Sequence, residues 1–266
     1  MWSYPAIDPV ALDLGFIQIH WYGLMYLFGF AAFYVLANRR VNRLIEGQDD
    51  FVSDLLFYGA LGVILGGRIG YILFYDLAVY IEEPLRVFRV WEGGMSFHGG
   101  LLGVLLSMYL IGRKYQLSFW QITDFIAPMV PIGLGAGRVG NFINGELWGK
   151  VTDSPLGMWM SDPVTGQLVQ QYPTQLLEVL LEGLVMFVVL WIYSAKQRPM
   201  MAVSGLFLAL YGAFRFLVEF WRMPDAHIGY LAWDWLTMGQ VLSFPMIVLG
   251  AGLVFIAYKK HSVKVA

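Results

Sequence analysis

Seven apolar stretches, at about 17–37, 54–76, 98–112, 119–138, 175–194, 203–220 and 238–258, occupy more than half of this 266-residue chain and restrict what it can fold into. In lipid the backbone must satisfy its own N–H and C=O groups, so runs of roughly twenty apolar residues become helices. Charged residues make up only 14% of the chain and hydrophobic ones 58%, too few charges to cover a water-facing surface. The expected fold class is all-α: a polytopic membrane protein with seven transmembrane helices, forming a single domain over 1–266. The third stretch, HGGLLGVLLSMYL, is short and glycine-rich, which suits a helix that starts inside the membrane.

Lysine and arginine set the orientation, because short cytoplasmic loops retain them. Arg39, Arg40, Arg43, Arg113, Lys114, Lys196, Arg198, Lys259, Lys260 and Lys264 follow alternate spans, ten on one side against Arg86, Arg89, Lys150 and Arg222 on the other. This alternation predicts the N-terminus outside and the C-terminus inside. The opening MWSYPAIDPVALDLG has no basic leader region, so the first apolar stretch is expected to stay as a membrane helix. Two outside segments are long enough to carry structure. One, 77–97, mixes aromatic and charged residues and suits the interface. The other, 141–174, with turn dipeptides at Asn144-Gly145 and Thr165-Gly166, reads as a small extracytoplasmic head.

Several chemistries are set aside by composition. The chain has no Cys, which removes disulfides, thiolate nucleophiles and thiolate metal sites. Its four histidines, His20, His98, His227 and His261, show no metal-ligand spacing, and neither a metal nor a cofactor is requested. A formal net charge of −2 gives no support for nucleic-acid binding.

The informative residues are polar groups where polarity is costly. Arg68, Arg138 and Arg215 lie within or at the edge of spans, and each guanidinium needs a carboxylate, a phosphate or a route to water. Tyr211, Arg215, Glu219 and Arg222 are spaced by four, four and three, which puts them on one helical face. That face is either a structural Arg215–Glu219 pair or a wall meeting an anionic ligand. Arg138 either snorkels or joins Asn141, Asn144 and Glu146 in a head-group site among crowded glycines. Arg68 reads either as an ion pair, with Glu82 or Glu83 nearest in position, or as a lipid-phosphate contact. His98 stands at the outer start of the third span, beside Gly99 and Gly100, as a candidate proton acceptor or an ordinary interfacial histidine. Tyr22 is a belt anchor or a site wall. Under the charge-derived orientation these groups converge on the outer leaflet. Three function classes fit: a lipid-processing transferase, a secondary transporter of an anionic or amphiphilic substrate, and a receptor or insertion factor. The absence of an internal repeat weighs against the transporter.

The stretches HGGLLG at 98–103, GRVGNFINGELWG at 137–149, YPTQLLE at 172–178 and YGAFRFLVEFWRMPD at 211–225, with WYGLMY at 21–26 and GGRIGY at 66–71, together resemble the bacterial prolipoprotein diacylglyceryl transferase family. They stand in family order from Trp21 to about Met246. The resemblance implies a seven-helix inner-membrane enzyme, N-terminus periplasmic, without a cofactor. Its partners would be phosphatidylglycerol, surrounding membrane lipids, and a prolipoprotein signal peptide with a lipobox cysteine. The diacylglyceryl group would pass to the cysteine thiol, giving a thioether and glycerol 1-phosphate. By the same resemblance His98 is the candidate base, Arg138 holds the phosphate, and Arg215 stabilises charge as the ester bond breaks. Asn141, Glu146 and Gly149 match signature positions near the head group, and Tyr22, Tyr211, Glu219 and Arg222 match further site-lining positions.

Overall fold

The computed structural model describes residues 2–89, 93–161, 166–224 and 228–265, the side chains of 262–265 excepted. Thr165 of the expected turn, His227, Asp225 of the 211–225 stretch, and 90–92 of the 77–97 segment lie outside the described residues. The chain is mostly helical. In order it forms β1 (Val10–Asp13), β2 (Gln18–His20), α1 (Trp21–Arg40), α2 (Phe51–Tyr75), α3 (Leu77–Glu82), α4 (Phe97–Tyr115), α5 (Phe119–Ile126), α6 (Val130–Ile143), β3 (Met158–Ser161), β4 (Leu168–Gln171), α7 (Thr174–Glu178), α8 (Met186–Tyr193), α9 (Ala202–Val218) and α10 (Met238–Val265). A π-helical segment, Val179–Val185, joins α7 to α8.

Helices occupy all seven expected stretches, and among the described residues four are long and apolar enough to cross a membrane: Trp21–Arg43, Phe51–Tyr75, Thr174–Tyr193 and Met238–His261. The fourth stretch is not the single helix expected. It breaks at 127–129 between α5 and α6, where Pro128 withholds its N–H and disfavours the helical conformation of the residue before it. The all-α expectation also gives way at two antiparallel hairpins, β1–β2 and β3–β4. The second pairs Met158 with Gln171 and Ser161 with Leu168 inside the 141–174 segment. Met158, Met160 and Trp148 turn inward there onto Tyr4 and Phe142, so even this segment has an apolar core.

The chain divides into two compact units, one of residues 36–125 and one of 1–35 with 126–266. In the first, α2 and α4 meet along small residues. A Cβ added at Gly62 would lie 2.6 Å from the Gly103 carbonyl oxygen, and one at Gly70 would lie 2.8 Å from Gly99 Cα. Close backbone approach of this kind gives two apolar helices dispersion contact that lipid does not match. At one end of the pair, Tyr115 Oη donates to Asp54 Oδ2 at 2.7 Å, and Lys114 pairs with the same carboxylate.

In the larger unit, Ala127, Met186, Leu190 and Val203 form a buried cluster under α6, α8 and α9. α9 and α10 approach closely at Gly212, where a Cβ would lie 2.9 Å from the Ser243 carbonyl oxygen. The Thr237–Gln240 turn that opens α10 is a capping box: Thr237 N donates to Gln240 Oε1 at 3.0 Å, and Gln240 N donates to Thr237 Oγ1 at 3.2 Å.

Candidate active site

Four of the expected site residues come together in the larger unit: Arg138 on α6, Arg215 on α9, and Glu219 and Arg222 in the turn that follows α9. A carboxylate not singled out in the sequence joins them. Glu178, at the end of α7, is fully buried. Its Oε1 accepts from Arg215 Nη1 at 2.5 Å and from Arg222 Nη1 at 3.3 Å, while its Oε2 lies 3.2 Å from Arg138 Nε. One carboxylate thus gathers three guanidinium groups from two other segments.

Glu219 and Glu182 complete the set. Glu219 pairs with Arg215 Nη2, one helical turn before it, and lies 3.7 Å from Arg222 Nε. Both contacts follow from the i+4 and i+3 spacing expected of this face. Its other oxygen accepts from Thr237 Oγ1 at 2.6 Å, so the capping box holds a charged site residue as well as a helix end. Gly239 leaves room for that carboxylate, since a Cβ there would lie 2.6 Å from Glu219 Oε1. Glu182, also fully buried, stands 3.6 Å from Arg138 Nη2. Three arginines and three glutamates therefore face one another, with net charge near zero, which is how charged groups are tolerated at low dielectric.

Local structure explains the placement. A π turn widens the helix between Glu178 and Met186, and such turns store a register shift inside a helix. Gly183 and Gly135 meet there, each Cα 3.0 Å from where the other's Cβ would stand, bringing the acidic turn against α6 just before Arg138. Gln175, Glu178 and Glu182 are spaced by three and four within an apolar span. Two acids at helical spacing in a span of high hydropathy were the available signal for Glu178 and Glu182.

Beside this node, Glu146 Oε1 accepts from Asn141 Nδ2 at 2.9 Å and from Asn144 Nδ2 at 3.2 Å, the local grouping expected of the 137–149 stretch. α7 grips the same loop through its backbone: Gln175 Nε2 donates to the Glu146 carbonyl at 2.5 Å, and Thr174 Oγ1 to the Leu147 carbonyl at 3.0 Å. Those bonds help hold Leu147 at φ 63°, a left-handed conformation costly for a branched side chain. Tyr22 lies against Gly140, where a Cβ would approach its ring to 2.6 Å, and its phenol is within electrostatic range of Glu146 and Arg138. Tyr211, one turn before Arg215, stacks on Phe207 and is similarly in range of Glu182, Arg138 and Arg215. Gly149 serves by its smallness: its N–H donates to the Tyr172 carbonyl at 2.8 Å, it bridges Arg222, and a Cβ would lie 2.5 Å from the Trp221 carbonyl oxygen. Burial and the neighbouring Arg215 charge lower the pKa of Arg222, while Glu178 and Glu219 oppose that shift. A cavity of about 80 Å³ is lined by Arg215, Glu219 and Arg222 together with Thr237 and Met238. Among the described residues, no group of three or more His, Asp or Glu side chains is placed to hold a metal.

Two expected site residues belong to the smaller unit. His98 is exposed in the first turn of α4, edge-on to Phe97. Arg68 is buried and finds neither Glu82 nor Glu83. Instead it donates to the carbonyls of Arg86 at 2.6 Å, Val87 at 3.1 Å, Arg89 at 3.0 Å, Gly93 at 2.5 Å and Gly94 at 3.3 Å, beneath the Tyr80 ring. Carbonyls substitute for a carboxylate because the folded-back segment presents five of them to a planar, five-donor fork.

Four helices of membrane length and apolar composition fit a membrane protein, and the balanced ion-pair node in the larger unit gives it an anion-competent site. The chain matches the model of the family described as prolipoprotein diacylglyceryl transferase over residues 9–256, and it belongs to that family. It is 61% identical over 263 residues to the phosphatidylglycerol–prolipoprotein diacylglyceryl transferase of Hydrogenovibrio crunogenus, covering 99% of both chains. Proteins of the same name from Ectopseudomonas mendocina and Pseudomonas fluorescens are 57% and 54% identical, over 99% and 100% of this chain and 99% of each relative.

Proposed function

We propose that this protein transfers the sn-1,2-diacylglyceryl group of phosphatidylglycerol to the thiol of a lipobox cysteine in a prolipoprotein. A bond forms between the cysteine sulfur and the glyceryl carbon. The carbon–oxygen bond to phosphate breaks with its electron pair on oxygen, and glycerol 1-phosphate leaves. The observation that carries the reading is the node in which Arg138, Arg215 and Arg222 share Glu178, in a chain similar along its whole length to enzymes bearing that name.

The leaving phosphate gains charge as the bond breaks, so guanidinium donors already oriented by buried carboxylates lower the barrier without reorganising. Arg138 is assigned to the lipid phosphate and Arg215 to the charge that develops on it. Asn141, Asn144, Glu146 and Tyr22 are assigned to the glycerol head, with Gly149 leaving room for the Trp221 backbone that packs against the end of their loop. Tyr211, Glu219 and Arg222 complete the wall. His98 is assigned as the base that raises the thiolate fraction of the incoming cysteine. Arg68, engaged by five carbonyls in the smaller unit, is assigned to substrate binding. The whole chain is one membrane domain with seven spans, in the bacterial inner membrane, with its N-terminus periplasmic and 141–174 as an extracytoplasmic head.

Purified protein reconstituted with phosphatidylglycerol and a synthetic lipobox peptide tests this directly. A diacylglyceryl mass increment on the peptide, with matching glycerol 1-phosphate, is the expected result. No increment from folded protein would sink the reading and return the node to structural or transport roles.

A further inference from the structure

Glu182 differs from the other two carboxylates of the node. Glu178 is shared by three arginines, and Glu219 has Arg215 and Thr237. Among the described residues neither oxygen of Glu182 has a hydrogen-bond partner, whereas Glu178 lacks one only at Oε2, although both side chains are fully buried. Among the described residues its one ion pair is with Arg138, at 3.6 Å, beyond hydrogen-bonding distance. The charged or titratable groups facing it are Arg138 on α6, Tyr211 and Arg215 on α9, and Glu178 on its own helix. Arg138 therefore meets both carboxylates by charge rather than by hydrogen bonds, with Glu178 Oε2 the nearer at 3.2 Å from Nε and Glu182 Oε2 the farther at 3.6 Å from Nη2.

We propose that Glu182 is a resident counter-anion that the lipid phosphate displaces from Arg138, and that its buried charge then speeds departure of the phosphate product. The proposal rests on the reading that Arg138 holds the phosphate. Without lipid, Glu182 balances a guanidinium that would otherwise be buried with surplus charge. A phosphodiester offers that guanidinium closer, charge-assisted bonds than a carboxylate at 3.6 Å, so exchange at the Nη edge is favoured while Glu178 keeps the orientation. Carbon–oxygen cleavage turns the monoanionic diester into a monoester with a second ionisation near neutral pH. Glu182 then stands beside a more negative group and re-forms its pair as that group leaves. The close approach of Gly183 to Gly135 keeps Glu182 near enough to do so.

The full-length reconstituted protein and its Glu182→Gln variant decide the matter through KM for phosphatidylglycerol and inhibition by added glycerol 1-phosphate, with glycerol as the uncharged control. Removing the competing charge should lower KM and strengthen glycerol 1-phosphate inhibition, each roughly 5- to 100-fold, the range expected for one like charge in a partly buried site. Inhibition by glycerol should not change. A merely structural role would move neither constant selectively, and unchanged or raised values in a folded variant overturn the proposal. Glu182→Met serves as a second neutral variant, and failure of both to fold makes Glu182 a folding residue and overturns it equally. Arg138→Gln separates the underlying reading. If glycerol 1-phosphate inhibition survives that change, the phosphate assignment itself fails. If it is lost there but untouched in Glu182→Gln, only the exchange fails.

Discussion

Glu178 accepts a 2.5 Å hydrogen bond from Arg215, a residue 37 positions away, and this contact ties the end of α7 to α9 at the centre of the arginine node. Replacing one partner of a buried pair leaves the other uncompensated, at a cost of ~3–5 kcal/mol. Glu178→Ala is therefore expected to lose most transferase activity and to lower the thermal midpoint measurably in detergent. Glu178→Gln, which keeps an acceptor, should retain more stability than activity. Equal stability of the alanine variant and the parent would show that the node does not hold the fold.

Arg68 offers a contrasting case, in which the guanidinium serves the backbone. Its five carbonyl partners between 86 and 94 would lose a charged donor in Arg68→Ala, at ~1.5–3 kcal/mol for each well-formed bond, with solvent recovering part of it. Limited proteolysis should cut 84–94 faster in the variant. Arg68→Lys should rescue little, because an ammonium cannot reproduce the planar fork.

Helix packing in the smaller unit can be tested with two glycines of the same helix. A Cβ at Gly62 meets the Gly103 backbone at 2.6 Å, whereas one at Gly59 meets nothing within 4 Å. Gly62→Ala should destabilise by ~1–3 kcal/mol. Gly59→Ala should be neutral or stabilising by up to ~1 kcal/mol. Thermal melts of the two variants in one detergent provide the comparison, and equal melting temperatures would contradict the packing.

Glu146 collects two amides through one oxygen. Glu146→Gln keeps that acceptor, so its loss of kcat/KM should be milder than that of Glu146→Ala, which leaves the buried Asn141 donor unpaired. The alanine penalty should be ~1–3 kcal/mol, or roughly 5- to 150-fold in kcat/KM. Loss of equal size in both variants would mean that the charge, rather than the acceptor geometry, is what the site uses.

The sequence by itself determined the helices and the local polar groupings. Lipid leaves an apolar run no alternative to internal hydrogen bonding, so helices are the expectation for all seven stretches. Helices lie in each, but the fourth, expected as one span, is broken at Pro128. Arg215, Glu219 and Arg222 share a face because helical spacing alone puts them there. Asn141, Asn144 and Glu146 meet within six residues of chain. Tertiary structure decided which long-range partner each charge took. Glu178 and Glu182 acquire meaning only when the π turn and the Gly135–Gly183 approach bring their helix against α6. Arg68 finds carbonyls rather than Glu82 or Glu83 because the backbone at 86–89 and 93–94 lies against it. Partner choice at low dielectric depends on differences of about an ångström between elements distant in sequence, and periodicity along one chain carries no information about that separation.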